Sequence, residues 1–321
     1  MEENLNTLSN LNLDLPGHYS GKVRESWPVS QNRRILVTTD RLSAFDRIIG
    51  LVENKGQVLN QLSAWWFDKT NSIVPNHLIE VPDPNVSVAL DAKPLQVEVV
   101  MRSRLTGSTS TSILPRYLAG ERNMYGYDFP DGLTPHCELP EHILTPTTKA
   151  QDGGHDEPIT VDQVLELGIL EPQIWERVQK IAHELFQFGF DHASSKGFVL
   201  ADTKYEFGLA PSGEIILIDE VHTPDSSRYW LKDGLDDRLA AGQGPQNFDK
   251  EPVRLALREA GYCGDGQIPV LEDKVWEDAS QRYTQIYEAM TGQIFEPGER
   301  PISKRIESNL APYIDEVKNS G

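Results

Sequence analysis

The chain has 321 residues, with 49 acidic side chains against 30 basic ones for a formal charge of -19, and 38% of its residues are hydrophobic. That length supplies one large core or two closely packed ones, in a composition ordinary for a soluble globular enzyme. The acidic excess excludes nucleic acid and anionic membrane as main partners, because binding either requires clustered Lys and Arg.

Two cysteines, Cys137 and Cys263, cannot build a disulfide framework and have no ligand-like spacing. The N-terminus has no basic, apolar leader pattern, and no apolar run approaches the ~18 residues of a membrane span. A cytoplasmic protein with free thiols and no membrane partner is expected.

In chain order, residues 20–27 and 34–39 read as short strands, the second with a buried run at Ile35, Leu36 and Val37. Gly21 heads the first strand, where a missing Cβ lets backbone approach a ligand, and Lys22 and Arg24 leave one side of it. Taken alone, this Gly-Lys pair reads more readily as a surface hairpin. Between residues 56 and 70, Val58, Leu59, Leu62, Trp65 and Trp66 recur at helical spacing and predict an amphipathic helix with core aromatics. Lys55 stands at its start, a place equally suited to an anion site or an exposed lysine.

Residues 96–101 form the next predicted strand, and its polar exit carries Arg102, Arg104 and Ser108. A strand leading from one lobe to the next places the boundary near residue 104, with ligand in the crevice between lobes. Residues 115–150 lack periodicity and predict a long ordered excursion. His155, Asp156 and Glu157 invite a metal reading, but neighbours in sequence rarely ligate one ion and no second histidine stands at i+4, so zinc is set aside. Helices are predicted at 160–167 and 172–195, the latter with a buried stripe at Ile174, Val178, Ile181 and Leu185.

Residues 199–230 carry the densest chemistry. Asp202, Lys204 and Glu206 alternate and leave one face of an extended strand. Pro211, Ser212 and Gly213 supply a turn, and an apolar return strand ends at Asp219 and Glu220. A two-residue loop at Ser212 and Gly213 would pair 211 with 214 and set Glu206 opposite Asp219, with Cβ atoms roughly 4.5–5.5 Å apart. Facing carboxylates need a cation between them, and a hard divalent ion is the natural candidate. A solvated edge hairpin meets the same spacing. Lys204, together with Arg228 in the following TPDSSR, shifts the balance toward a site for phosphate charge. Beyond it, residues 234–244 read as a flexible stretch, followed by helices at 250–260 and 271–290 and a short closing helix at 303–318.

The run ADTKYEFG followed by DEVHTPDSSRYW closely resembles the signature of the phosphoribosylaminoimidazole-succinocarboxamide synthases, the SAICAR synthetases of purine biosynthesis. Further blocks match in order: SGKVRE from Ser20, TTDRLSAFDR from Thr38, NKGQVLNQLSAWWF from Asn54, VVMRSRLTGS from Val99, TPTTKAQDGGHDEPI from Thr145 and NFDKEPVR from Asn247. Together they span almost the whole chain.

The resemblance implies an α+β, two-lobed fold, distantly kinase-like and ATP-grasp-like. An antiparallel-sheet N-lobe (1–104) would meet a mixed α/β C-lobe (105–321) across an ATP cleft. It implies a ligase that joins L-aspartate to the carboxylate of carboxyaminoimidazole ribonucleotide, consuming ATP through an acyl phosphate. No covalent nucleophile is needed, and no convincing Ser or Cys motif is present.

By the same resemblance, Gly21, Lys22, Val23 and Arg24 cover the ATP phosphates, Glu206 and Asp219 hold Mg2+, and Lys204 meets the transferring phosphoryl group or the substrate carboxylate. Arg102, Ser108, Asp156 and Arg228 become ribonucleotide contacts, with Arg228 and Ser108 on its 5′-phosphate. Asp202 and Asp225 orient these cations. Ser43, Asp46 and Lys55 are candidates for holding aspartate.

His222, where the family usually has an aliphatic residue, and Met101 depart from the pattern. A kinase-like phosphotransferase is the first alternative, but no HRD-type loop precedes the hairpin. A nucleotide-binding regulatory protein without catalysis is the second, and it predicts erosion at Lys204, Glu206, Asp219 or Arg228, all of which are present. Oligomeric state stays open, with a monomer as the default.

Overall fold

Two antiparallel five-stranded sheets organise the chain in a computed structural model that describes residues 6–29, 32–109, 112–149 and 156–320. The first sheet takes β1 (Tyr19–Ser20), β2 (Arg24–Val29) and β3 (Arg33–Thr38), and a small hairpin of β4 (Arg41–Ala44) and β5 (Arg47–Leu51) follows. Helix α1 (Lys55–Thr70) precedes β6 (Leu78–Asp83) and β7 (Val86–Leu90), which complete the sheet in the order β1-β2-β3-β7-β6. Along β3, Ile35 and Val37 are buried while Leu36 faces the space between the sheets, as strand alternation requires. The start of α1 is wedged against the end of β3: a Cβ on Gly56 would lie 2.4 Å from the Thr38 carbonyl oxygen.

The second sheet begins with β8 (Lys93–Arg104), which the sequence reading assigned to the first lobe. Next come α2 (Ile113–Leu118), the short pair β9 (Asn123–Met124) and β10 (Tyr127–Asp128), and β11 (Glu138–Thr148). After α3 (Gln163–Glu166) and α4 (Pro172–Ser195) follow β12 (Phe198–Leu209), β13 (Ile215–Ile218) and β14 (Ser227–Leu231). The sheet order is β11-β8-β12-β13, with β14 also paired to β12. Strand β11 falls in the stretch read as a long ordered excursion without periodicity. Its Pro140 and Pro146 hide it from pattern reading, and an edge strand is where proline is tolerated. The buried stripe of α4 continues through Trp175 and Phe186 into the main core, which also contains Leu200, Tyr205 and Phe207 of β12.

The remaining helices are α5 (Leu235–Ala240), α6 (Glu251–Glu259), α7 (Asp273–Thr291) and α8 (Ile302–Ser320). Helix α5 lies where the glycine-bearing stretch was expected to be flexible. Helix α8 returns to the first lobe, where Ile302, Ile306 and Leu310 pack with Leu8, Leu11, Leu13, Trp27 and Val86. Gly154 and His155 of the GHDE motif lie outside the described residues.

Candidate functional site

A cleft of about 760 Å³ opens between the two sheets. Gly21, Lys22, Val23 and Arg24 line it from the first lobe, and Glu98, Lys149, Asp156, Glu206 and Asp219 from the second. The chain crosses between lobes along one wall, at Leu90, Asp91, Ala92 and Pro94.

The hairpin register differs from the expectation by one residue. Ala210 donates its N–H to the Glu214 carbonyl at 2.9 Å and Gly213 donates to Ala210 at 2.8 Å, so the loop holds three residues, Pro211 to Gly213. Gly213 takes φ 86°, the left-handed turn position that a three-residue hairpin loop requires. In consequence Glu206 pairs with Ile218, not with Asp219. Strand alternation would then send Asp219 to the opposite face, but its φ of 68° ends the strand and turns the residue. Its Oδ2 comes to 3.6 Å from the Lys204 Nζ.

The carboxylate directly opposite Glu206 belongs to Glu98 on the neighbouring strand β8. The cation that such a pair needs is Lys204 itself, which donates to Glu98 Oε1 at 3.2 Å and also to Glu206. Burial works against the Lys204 ammonium, but Glu206, Glu98 and Asp219 outweigh it and hold its pKa well above the usual lysine range. Burial likewise opposes ionisation of Asp219, yet Arg24 and Lys204 hold it well below the usual carboxylate range. Arg24 reaches across the cleft, ion-paired to Asp219 and 3.3 Å from Glu220. Lys149 pairs with Glu206 from the other side. Lys22 sits at the exposed mouth, 2.6 Å from Asp46 on the β4–β5 turn.

A second cluster gathers where β8, β12 and β14 meet. Asp202 Oδ2 accepts from Arg102 Nη1 at 2.9 Å and from Arg228 Nη1 at 2.6 Å. Ser108 donates to Glu251 Oε2 at 3.0 Å, and Arg254 donates to the same oxygen at 3.2 Å. Arg102, Ser108, Asp202 and Arg228 are thus brought together, while Asp156 lines the interlobe cleft. Asp225 does not serve Arg102 or Arg228. It accepts from Tyr283 and forms a 2.9 Å ion pair with Lys55, whose side chain is 0% exposed. Lys55 is therefore a buried structural cation, neither an exposed lysine nor an open ligand.

His222 is wholly buried, its Nε2 3.1 Å from the Tyr205 hydroxyl and its ring 4.7 Å from that of Trp66. Space for the imidazole comes from Gly189 on α4, where a Cβ would lie 2.4 Å from His222 Cε1. Burial pushes its pKa down to about 3, so the ring is neutral at working pH. Sequence reasoning gave no role to Glu98, Lys149 or Glu251. Lys149 and Glu251 stand inside the quoted blocks and Glu98 just before one, but only strand pairing brings them to the site.

A sequence profile of the SAICAR synthetases matches residues 17–269. The chain belongs to the SAICAR synthetase family. A putative phosphoribosylaminoimidazole-succinocarboxamide synthase 2 of Mesorhizobium japonicum is 47% identical over 305 residues, covering 94% of this chain and 97% of the relative. The Legionella pneumophila synthase is 43% identical over 312 residues, covering 96% and 98%. Among solved structures, Saccharomyces cerevisiae SAICAR synthase complexed with SAICAR superposes with a TM-score of 0.76 at 29% identity, covering 91% of this chain and 100% of that one. A SAICAR synthetase in complex with ADP superposes with a TM-score of 0.66 at 26% identity, covering 88% and 100%. Family membership makes the chain an ATP-dependent carbon–nitrogen ligase of purine biosynthesis that forms SAICAR. It does not favour the phosphotransferase or the silent nucleotide-binding protein.

Proposed function

We propose that ATP occupies the interlobe cleft with its phosphates beneath residues 21–24, and that Glu206 and Asp219 hold an accompanying Mg2+. The observation that carries this reading is the convergence of Glu206 and Asp219 on the cleft wall opposite Gly21 and Arg24, with Lys204 ion-paired to both carboxylates. The donor set fits magnesium: both carboxylates offer hard oxygens, and the cationic side chains that meet them, Arg24 and Lys149 among them, mark a place where these carboxylates hold positive charge. Among the described residues, no group of three or more His, Cys, Asp or Glu is arranged to hold an ion by itself. Magnesium in phosphoryl-transfer sites is held through one or two carboxylates together with substrate phosphates. Bound there, magnesium supplies charge neutralisation at the phosphate oxygens.

In the ligase reaction an oxygen of the ribonucleotide carboxylate attacks the γ-phosphorus of ATP, and the bond from that phosphorus to the ADP oxygen breaks. The uncharged aspartate amine then attacks the acyl carbon of the resulting acyl phosphate, and inorganic phosphate leaves with the C–O bonding pair and takes up the proton that nitrogen releases. Lys204, kept charged by its carboxylate neighbours, meets the attacking carboxylate and the migrating phosphoryl group, where cationic charge is most effective. Arg102, Arg228 and Ser108 take the ribonucleotide 5′-phosphate, with Asp202 fixing both guanidiniums, and Asp156 contacts the ribonucleotide from the cleft side. The lobes divide at residues 91–92, ahead of β8. The partners are small molecules, and the protein acts in the cytoplasm; no helix among the described residues is long and apolar enough to cross a membrane.

The test uses purified protein, ATP, Mg2+, L-aspartate and ribonucleotide labelled with ¹⁸O in its carboxylate. Aspartate-dependent ADP release, with ¹⁸O recovered in inorganic phosphate, is expected. Turnover with no label in the phosphate would remove the acyl phosphate from the scheme.

A further inference from the structure

The turn from Gly21 to Arg24 has all of its carbonyl oxygens engaged by the protein. The Gly21 oxygen accepts from Arg41 Nη2 at 2.9 Å and the Lys22 oxygen from Arg41 Nε at 3.1 Å. The Val23 oxygen accepts the Thr39 N–H at 2.9 Å and the Thr39 hydroxyl at 2.8 Å, and the Arg24 oxygen accepts the Gly21 N–H at 2.8 Å. Thr39 lies between β3 and β4, and Arg41 opens β4.

Holding the carbonyls on one side fixes the amides on the other. The peptide bonds joining residues 21 to 23 are trans, so each N–H points opposite the carbonyl of the preceding residue. With the Gly21 and Lys22 oxygens drawn to one guanidinium, the N–H groups of Lys22 and Val23 point away from it together. Among the described residues, neither N–H donates to any group. Lys22 and Val23 line the interlobe cleft, while Arg41, 6% exposed, is not on its wall. Successive free amides on one side of a turn make an anion-binding concavity.

Arg41 is held too firmly to be a ligand itself. Its Nη1 donates to the Ser9 oxygen at 2.8 Å and pairs with the buried Glu25. Glu25 also accepts the Ser20 hydroxyl at 3.0 Å and lies 2.7 Å from His18 Nε2. The charge is thus neutralised in place. The rigid guanidinium fork reaches two neighbouring carbonyls at once, a spacing that the single nitrogen of a lysine cannot reproduce.

We propose that Arg41 is a positioning residue for phosphate, presetting the turn so that the Lys22 and Val23 amides face the cleft before nucleotide arrives. The assignment rests on the reading that ATP phosphates lie beneath residues 21–24, and it gives a role to a side chain that never touches them.

In the full-length enzyme, Arg41→Lys keeps a partner for Glu25 but cannot serve both carbonyls. Calorimetric titration should show Kd for Mg-ADP raised about tenfold, the equivalent of one lost charge-assisted hydrogen bond, with Kd for adenosine changed by no more than about twofold. Arg41→Met combined with Glu25→Gln removes both members of the buried pair, leaves no lone charge between them, and should lose at least as much ADP affinity. Amide exchange of the wild type needs no variant: Mg-ADP should slow exchange at Lys22 and Val23, and adenosine should not. Equal rises in both Kd values, or an unchanged Kd for ADP, would reduce Arg41 to a structural residue and overturn the proposal. Lys22 and Val23 amides that exchange alike with ADP and with adenosine would overturn it too. A wild type that binds Mg-ADP no more tightly than adenosine would instead remove the phosphate reading beneath it.

Discussion

Replacing Asp202 by asparagine keeps the side chain's shape and removes the single negative charge shared by two guanidiniums. The three side chains are shielded from solvent, at 4% exposure for Asp202, 8% for Arg102 and 16% for Arg228. Breaking a buried ion pair from one side costs about 3–5 kcal/mol, because the remaining charge is left in a poorly solvated place. The chain of 321 residues, at roughly 2.1 cal/mol/K per residue, has an unfolding entropy of about 0.7 kcal/mol/K. Asp202→Asn should therefore lower Tm by about 4–7 °C, read by calorimetry or near-UV circular dichroism, and raise KM for the ribonucleotide by at least tenfold. Asp46→Asn serves as the contrast. Its pair with Lys22 is 62% and 56% exposed, and an exposed pair contributes only about 0.2–1 kcal/mol, so its Tm should move by no more than about 1 °C. Equal Tm shifts in the two variants, with ribonucleotide KM unchanged by Asp202→Asn, would refute the view that this carboxylate organises the arginine cluster.

Asp219→Asn should abolish ligation and weaken Mg-dependent ATP binding in calorimetric titration; near-normal turnover would reject the metal assignment. Lys204→Ala should lower kcat at least ~100-fold with ATP affinity largely kept if, as proposed, its charge acts in the transition state; a comparable kcat would make Lys204 structural. His222 has a pKa pushed below its unfolded value of 6.5, to about 3, so the unfolded chain binds a proton that the folded one refuses. Its contribution to stability is complete above about pH 6.5 and is lost as pH falls toward 3, amounting to about 2 kcal/mol between pH 7 and pH 5. Urea unfolding should show that acid slope in the wild type and a shallower one in His222→Leu; identical slopes would place the titration elsewhere.

The periodic elements were legible from the chain alone. Residues 56–70 and 172–195 were read as helices and appear as α1 and α4, because their apolar spacing survives whatever tertiary partners they meet. Strand β11 was not legible, since two prolines disguise an edge strand, and neither was α5, since glycines flank a helix of only six residues. Membership of β8 in the second sheet was hidden for a different reason. A central strand is assigned by what it pairs with, and β8 pairs with β11 and β12, both distant in sequence.

The site divides along the same line. Residue types and local spacing determined that Asp202, Lys204 and Glu206 share a strand face, that Arg228 follows in a polar turn, and which family the blocks resemble, since all of these are properties of nearby residues. Only the tertiary structure decided which acid faces Glu206: a one-residue change in the turn takes Asp219 out of register, and pairing with β8 brings Glu98 opposite instead. It also decided that Asp219 reaches Lys204 through a left-handed turn, that Lys55 is spent on Asp225, and that Arg41 holds the carbonyls of residues 21 and 22. Charge balance at a buried point is set by every group within a few ångströms, and those groups come from strands and helices that the linear chain keeps far apart.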